Sequence, residues 1–426
     1  MTIAILFGSF GLLLILGVPI MVSLTLSAVL AILFKGSLPL LVVPQRLFGG
    51  VDSFPLTAVP FFMLAGALMN EGGITRRIIN ASDALLGHLR GGLGHVNVVA
   101  SMIFGGISGS SVADTSAIGT IMIPAMREQG YDAEFSAAIT AASSTIGILI
   151  PPSIPMIIYG ITVGVSIGAL FLAGAIPGIL VGLLQMCLVA FVARRRGYPR
   201  GQRFSFRRLS RSLVDNVVAL MMPVIILGGI VGGIVTPTEA AATAVLYALV
   251  VGFFVYRELN VRDLPRILLE TGLHTGVVLM IVSAASSFSW VLSVEQVPQT
   301  TAAFLGSLNV SNIVLLLLIN LLLLVVGCFL DITPAIIVLA PILYPVALRL
   351  GVDPVQFGAM MVVNLGIGLC TPPVGNCLYV TSLVSGVPIV RLSRVALPFL
   401  AANVVTLLLV TYVPWVSTVL PRLLMR

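Results

Sequence analysis

The stretch IGILIPP at residues 146–152 recurs as IGLCTPP at residues 367–373. Each copy ends in two consecutive prolines, which lack a backbone N–H and break the hydrogen-bond ladder of a helix. Both copies interrupt long apolar segments. In hydrocarbon, broken backbone is tolerated only where the freed groups are buried in protein or line a cavity. Two broken helices at matching places in two halves of a chain therefore indicate the binding site of a transporter.

The composition places the whole chain in a membrane. The 426 residues are 58% hydrophobic and 9% charged, whereas soluble domains carry about 25% charged residues. The net charge of +7 does not indicate nucleic-acid binding, because eight arginines are concentrated in residues 194–211. A basic loop between apolar spans is typical of a cytoplasmic anchor, with specific lipid binding as the alternative. The lipid bilayer is the expected partner, and no nucleic acid is expected.

Further landmarks repeat in the same order along the chain. They predict two homologous halves, residues 1–193 and 212–426, joined by the arginine-rich loop 194–211. The fold class that follows is an all-α polytopic membrane protein with two inverted-topology repeats, two re-entrant hairpins and two broken helices. The matching landmarks are Pro19 with Pro237, Glu71 with Glu295, and Asp114 with Asp331.

The charges suggest that the two halves are inverted. Segment 74–91 carries three arginines, whereas its counterpart 295–309 carries Glu295 and no lysine or arginine. The positive-inside rule places the first segment in the cytoplasm and the second outside. The N-terminal apolar stretch is long for one membrane span and short for two, so the side of Met1 stays open. The predicted path of the chain through the membrane has hairpins at 93–126 and 311–347, and broken helices at 135–164 and 355–384.

Hairpin tips and helix breaks supply the chemistry of an ion site. Their free carbonyls and nearby serine and threonine hydroxyls are hard ligands suited to alkali cations. Half-helices that begin after the breaks offer N–H groups to an anion. Asn364 and Asn376 flank the second break and could contact a polar substrate, although amides in membrane helices also bond helix to helix. The alternative for the small residues is close helix packing.

Two aspartates fall at membrane depth, where ionisable groups are functional by default. The alternative is capping: Asp114 of a helix from residue 115, and Asp331 of a helix that begins at Pro334. Glu239 is expected to be a first-turn acid that favours a helix start. The four cysteines have no metal-ligand spacing, so no transition metal and no cofactor is expected.

An enzymatic alternative rests on Gly106–Gly109, which matches the G-x-S-G motif of rhomboid-type intramembrane proteases and would use Ser108. Such a serine needs a histidine partner. His88 and His95 lie in or beside the predicted interfacial helix, and His274 lies near the end of a span. The chain has no HExxH and no Walker motif. We therefore expect a protein that is not an enzyme.

Long motifs in the chain resemble a known family. FFMLAGALMNEGGITRR (residues 61–77), STIGILIPPSIPMIIYG (144–160) and LGIGLCTPPVGNCLYVTS (365–382) closely resemble the large membrane subunit of tripartite ATP-independent periplasmic (TRAP) transporters. The resemblance implies a bacterial inner-membrane transporter that imports an organic anion, such as a dicarboxylate, keto acid or sialic acid. It implies sodium as the coupling ion and an elevator mechanism. The runner-up is a stand-alone sodium–dicarboxylate symporter.

The resemblance also implies partners and site residues. The partners are a periplasmic solute receptor and a small four-helix membrane subunit, expected here as a separate polypeptide. Asn364, Asn376, Pro151 and Pro373 are the candidate substrate residues. Two sodium sites carry over by motif, the first on Ser108, Ser111, Gly147, Ile150 and Pro152, and the second on Gly327, Leu330, Gly368, Thr371 and Val374.

Overall fold

The computed structural model describes residues 1–201, 203–307 and 310–425 and is built from helices. Within these residues the β structure is an isolated antiparallel bridge between Arg90 and Arg200. The α-helices are α1 (Thr2–Ile15), α2 (Ile20–Lys35), α3 (Val42–Val51), α4 (Ala58–Glu71), α5 (Ile74–Leu86), α6 (Gly92–Ser108), α7 (Ser111–Glu128), α8 (Ala133–Ser144), α9 (Ile154–Val163), α10 (Ile167–Arg196), α11 (Phe206–Asp215), α12 (Val217–Val231), α13 (Pro237–Val250), α14 (Leu264–Val294), α15 (Val297–Ser307), α16 (Asn312–Gly327), α17 (Ile332–Arg349), α18 (Pro354–Gly368), α19 (Asn376–Ser385), α20 (Ile389–Tyr412) and α21 (Trp415–Leu424).

Many of these helices are apolar enough to cross a membrane. In the described part of the chain six are also long enough, and the bent pair α11–α12, with a 66° break, makes a possible seventh. Six shorter apolar helices have 10–17 residues, among them α6, α9, α16 and α18. A helix rises about 1.5 Å per residue, so helices this short do not each span the roughly 30 Å core of a bilayer. The chain is an all-helical membrane protein, as its composition predicts.

The two predicted hairpins are helix–turn–helix units. The first consists of α6 and α7, joined at Gly109, whose φ of +62° suits a glycine. The second consists of α16 and α17. The predicted broken helices are the pairs α8–α9 and α18–α19. The observed helix ends lie close to the expected ones because prolines, glycines and capping residues act locally.

Three features differ from the sequence reading or extend it. The N-terminal stretch is two short helices, α1 and α2, which pack against each other after a turn at Gly17. A C-terminal helix, α21, follows the predicted last span and packs against α10. The start of the predicted span 213–234 falls at the end of a separate amphipathic helix, α11, and α12 forms most of the rest. None of the residues of α11 is buried.

The half-helices after the breaks connect the two halves of the chain. Helix α9 packs on α17 of the second hairpin, and α19 packs on α7 of the first. Helices α10 and α20 also pack together, joined by Gln185, whose amide donates to Asn403 Oδ1 at 2.9 Å. Each break therefore has helices from both halves packed beside it. Inverted topology and the boundaries of the two repeats stay predictions.

Ion pairs gather the basic segments at one end of the molecule. Arg77 of α5 pairs with Glu258 at 2.6 Å, and Arg266 of α14 pairs with Glu71 at 2.9 Å. Arg208 of the arginine-rich region pairs with Asp83 of α5 at 2.6 Å. These contacts bring α5 and the arginine-rich region, both predicted to be cytoplasmic, together with the start of α14 and the loop before it.

A polar cluster fixes the turn between α7 and α8 at this end. Asp132 accepts a hydrogen bond from Tyr198 Oη at 2.5 Å and forms an ion pair with Arg196. These two partners, the tyrosine hydroxyl first, lower the pKa of the Asp132 carboxyl. Partial burial, followed by the same hydrogen bond, raises the pKa of Tyr198 to about 12.

We expect Asp132→Asn to flatten the pH dependence of stability in acid. Because the pKa of Asp132 is lowered by folding, its contribution is present above its unfolded pKa of about 3.9 and is lost as the pH falls through the folded value. Thermal unfolding midpoints of the purified chain between about pH 3 and 7 test this. A variant with the same acid-limb slope as the native chain would contradict the assignment.

Candidate functional site

At the first helix break, a side chain of the break itself makes hydrogen bonds to the freed backbone groups. Helix α8 continues as a 3₁₀ turn, Thr145–Ile148, and the Pro151–Pro152 peptide bond is cis. Ser153 then caps α9, accepting from the Met156 N–H at 3.3 Å and donating to the Ile148 carbonyl at 2.6 Å. The break thus replaces part of the lost helical ladder with a serine cap.

The tip of the first hairpin lies directly on this break. A Cβ atom at Gly105 would lie 2.3 Å from the Gly147 Cα, so the two backbones touch where neither residue has a side chain. Beyond the tip, the Gly109 carbonyl accepts a hydrogen bond from the Ile154 N–H at 3.3 Å. A Cβ at Gly109 would lie 2.8 Å from the Pro152 carbonyl oxygen. The hairpin and the broken helix therefore share one backbone contact surface.

The second hairpin meets the second break in a similar way. A Cβ at Gly368 would lie 2.4 Å from the carbonyl carbon of Gly327. The Val374 N–H donates to the Cys328 carbonyl at 3.2 Å. Gly375 follows with a φ of +50°, which favours a residue without a Cβ. The Pro372–Pro373 bond is cis, as in the first break.

The first set of predicted sodium ligands converges at the first break. Ser108 ends α6 and Ser111 begins α7, and both are buried. Gly147 touches the hairpin, and the Pro152 carbonyl faces its tip. Ile150 is partly buried and its N–H donates to the Ile146 carbonyl. All five positions thus belong to the turn and break that are in contact.

Two groups beside this break have no hydrogen-bond partner among the described residues. They are Ser111 Oγ and both carboxylate oxygens of Asp114, all three buried and outside hydrogen-bond geometry with any described residue, although Ser101 of α6 lies close to the Asp114 carboxylate. Asp114 is 0% exposed, and its Cβ lies 3.6 Å from the position of a Cβ at Gly147. An uncompensated carboxylate in a dry interior is strongly unfavourable. A buried carboxyl of this kind is therefore either protonated or held by a cationic partner.

The second set of predicted ligands is less enclosed. Gly327 and Gly368 are in contact, and Val374 reaches the second hairpin through its N–H. Thr371 Oγ1 donates to the Ile367 carbonyl at 2.7 Å, which leaves its lone pairs available. Leu330 is partly buried beyond the hairpin tip, where its N–H bonds to Val326.

Burial separates the two breaks. Pro151 and Pro152 are buried, whereas Pro372 and Pro373 are exposed. Of the four candidate substrate residues, Pro151 is therefore inside the protein and Pro373 is at an accessible surface.

The polar candidates have specific partners. Asn376 donates to Asp331 Oδ1 at 3.3 Å, which joins α19 to the second hairpin. Asn364 is fully buried and donates to the Asn320 carbonyl and to its Oδ1, both at 2.9 Å. The Nδ2 of Asn364 thus joins α18 to α16. Its Oδ1 has no partner among the described residues.

The capping expectations have mixed outcomes. The expectation for Asp114 is wrong, because Ser110 caps α7, which starts earlier, at Ser111. Asp331 stands at the N-cap position of α17, but its side chain makes no capping hydrogen bond. Glu239 is confirmed as a first-turn acid, since it forms a reciprocal capping box with Thr236. The early helix start places Asp114 inside the first turn of α7.

Sequence reasoning missed a buried polar cluster between the first hairpin and its broken helix. Asn97 donates to Thr140 Oγ1 at 2.6 Å and accepts from Ser143 Oγ at 3.1 Å. In the second half Asn320 and Asn364 join the corresponding helices, α16 and α18. The signal was an amide or hydroxyl at the centre of each apolar helix, which must find a partner.

The protease alternative has no geometric support. Ser108 and His95 lie at opposite ends of α6, about 20 Å apart at 1.5 Å per residue. His274 is exposed on α14. No nucleophile–base pair forms from the described residues of the G-x-S-G motif.

Apolar helices, two hairpins and two proline-broken helices define a multi-pass membrane transporter. Residues 7–416 match the family model of the tripartite ATP-independent periplasmic transporter, DctM component, and the chain belongs to this family. It is therefore a transporter permease of the bacterial inner membrane rather than an enzyme.

Several relatives have names that specify a cargo. The chain is 45% identical to the isethionate TRAP transporter permease protein DctMQ of Oleidesulfovibrio alaskensis, over 96% of this chain and 65% of that protein. It is 44% identical to the sialic acid TRAP transporter large permease protein SiaM of Vibrio cholerae, over 98% and 97%. It is 39% identical to the C4-dicarboxylate TRAP transporter large permease protein DctM of Rhodobacter capsulatus, over the full length of both. The chain thus spans about two thirds of the first relative and nearly all of the other two.

A solved structure supports the fold. The YdaH transporter of Alcanivorax borkumensis aligns with a TM-score of 0.64 at 17% identity, covering 88% of each chain.

Gly105→Ala is expected to destabilise the chain by about 1–3 kcal/mol, because the new methyl group meets backbone rather than a movable side chain. Gly272→Ala is the matched control, since a Cβ there meets nothing within 4 Å. Thermal unfolding of the purified variants measures the difference. Equal midpoints for the two variants would show that the hairpin does not rest on the break.

Proposed function

We propose that this chain carries an organic anion across the inner membrane, coupled to sodium, after a periplasmic receptor delivers the anion. The observation that carries the coupling is the buried, unpartnered set of Ser111 Oγ and the Asp114 carboxylate beside the first break. A sodium ion there would receive hard oxygen ligands and would neutralise the buried charge. The exposed second break supplies the more accessible surface for the anion.

The cargo is proposed as an anion with a small organic body. The relatives named above specify isethionate, sialic acid and C4-dicarboxylates, all of which are ionised at neutral pH. The half-helix that begins after the second break, α19, presents its N-terminal end there, which favours negative charge, although the Cys377 N–H already donates to the Leu369 carbonyl at 3.0 Å. Asn376 is the first residue of α19, so its side-chain amide lies beside the backbone groups of this end.

The partners follow from the tripartite family. We propose a periplasmic solute receptor and a small four-helix membrane subunit. One relative carries the name DctMQ and is longer than this chain, which supports a close association of the two membrane components. The elevator movement would carry the hairpins and broken helices as one body, because the glycine contacts and α9 and α19 hold them together.

Uptake into proteoliposomes separates this proposal from the stand-alone symporter. We expect transport of a labelled organic anion only when the receptor and small subunit are both present and a sodium gradient points inward. Uptake by this chain alone would favour the stand-alone symporter. Equal uptake with potassium in place of sodium, at fixed membrane potential, would refute the coupling.

Ser111→Ala is expected to raise the sodium concentration for half-maximal thermal stabilisation about tenfold, which corresponds to about 1.4 kcal/mol. Asp114→Asn should reduce the sodium response further, because the charge that the cation neutralises is gone. The measurement is the unfolding midpoint against sodium, with potassium keeping the ionic strength constant.

Ser110→Ala is the matched control for Ser111→Ala. It removes the cap of α7 and should lower stability by about 1 kcal/mol, without changing the sodium concentration that gives half of the effect. Identical sodium responses in Ser111→Ala and the native chain would place the cation elsewhere.

A further inference from the structure

A basic cavity lies at the cytoplasmic end of the first hairpin, away from both breaks. Its volume is about 350 Å³, enough for a tetrahedral oxyanion with water around it. Its polar lining consists of two histidines and three arginines: His88, His95, Arg90, Arg194 and Arg200. Among the described residues no acidic side chain lines this cavity, and none of the three arginines pairs with a carboxylate.

Two histidine side chains add possible hydrogen-bond donors to this basic lining. His95 is 4% exposed, and its Nδ1 is buried outside hydrogen-bond geometry with any described residue, although the backbone of Arg90 lies close to the ring. The Nδ1 of His88 is likewise buried and unpartnered. A ring nitrogen that carries its proton donates a hydrogen bond to an oxyanion. His95 also stands in the first turn of the 17-residue helix α6, whose N-terminal end favours negative charge.

The backbone holds the arginines in place. The Gly91 N–H donates to the Pro199 carbonyl at 3.0 Å, and the Gly201 N–H donates to the Gly87 carbonyl at 3.1 Å. These bonds lay the loop after α10 across the turn between α5 and α6. Arg90 and Arg200 face each other in the isolated bridge, and Arg194 approaches from the last turn of α10.

The position of the cavity in the fold indicates the class of ligand that it binds. His95 is about 20 Å along α6 from Ser108, so the cavity is separate from the transport site. Its apolar wall includes Ala190 of α10, and the nearby Phe191 is half exposed, as expected at the boundary between lipid tails and headgroups. Basic pockets between membrane helices on the cytoplasmic side bind lipid phosphates. Guanidinium groups match the geometry of phosphate oxygens in pairs.

We propose that this cavity binds a phosphate group, supplied by an anionic phospholipid of the inner leaflet or by free phosphate. The bound group would join the base of the first hairpin to the end of α10. It would do so by neutralising three arginines that otherwise repel one another.

Thermal unfolding of the delipidated full chain tests the site in two arms. One arm titrates inorganic phosphate and the other a short-chain phosphatidylglycerol against phosphatidylcholine, at constant sodium and ionic strength. We expect a saturable rise of the midpoint in at least one arm. In Arg194→Gln/Arg200→Gln the half-saturating concentration should increase about tenfold or more, since charge-assisted hydrogen bonds to two arginines are lost.

The matched control is Arg195→Gln/Arg203→Gln, which removes the same charge from the same region. Arg195 lies over the Phe191 ring at 4.5 Å rather than in the cavity, and Arg203 is exposed. Arg90→Gln is a second test variant and should also weaken binding. A response to the lipid alone identifies the headgroup as the source, and a response to both ligands shows that free phosphate suffices.

Three results would overturn the proposal. The first is the absence of a saturable response in both arms for the native chain. The second is an equal loss in the test and control doubles, which would reduce the effect to general surface charge. The third is an unchanged half-saturating concentration in Arg194→Gln/Arg200→Gln, which would place the bound phosphate group outside this cavity.

Discussion

The contact between glycine backbones at the two breaks is the constraint on which the rest of this fold depends. Two consecutive prolines free carbonyl groups inside a membrane protein, where water is not available to satisfy them. The hairpins reach the breaks this closely only because Gly105 lies on Gly147 and Gly368 lies on Gly327 without intervening side chains. A single Cβ at either contact would separate the hairpin from the break. The short hairpins, the half-helices and the serine caps are all arranged around these contacts between glycine backbones.

Buried polar groups fall into two kinds, and the difference locates the site. Asn97 and Gln185 have partners on neighbouring helices, so they hold the bundle together as hydrogen bonds do in membranes. Ser111 and Asp114 have none among the described residues. Because an unpaired carboxylate is costly in a dry interior, the two kinds cannot have the same role. Gln185 Oε1 and Asn364 Oδ1 are also unpartnered among the described residues, but they are neutral amide oxygens, so the Asp114 carboxyl is what sets the first break apart and is the reason an ion is proposed there.

The charged residues at one end show the same division. Arg77, Arg208 and Arg266 are paired with carboxylates and connect neighbouring segments. Exposed pairs of this kind contribute little stability individually, but they fix which segments lie side by side. The arginines around the histidine cavity have no such partners in the described part of the chain. One surface therefore combines structural ion pairs with a basic cavity that a phosphate would complete.

The sequence by itself determined the membrane class, both hairpins and both broken helices, because hydropathy, prolines and glycines act within a few residues of themselves. Its motifs also determined the family. Tertiary structure alone decided that Asp114 lies beside Gly147 without a partner and that Asn364 bonds to Asn320. It also decided that the first break is buried while the second is exposed. These outcomes depend on contacts between residues far apart in the chain. No local pattern encodes them, because they arise only when helices from both halves pack together.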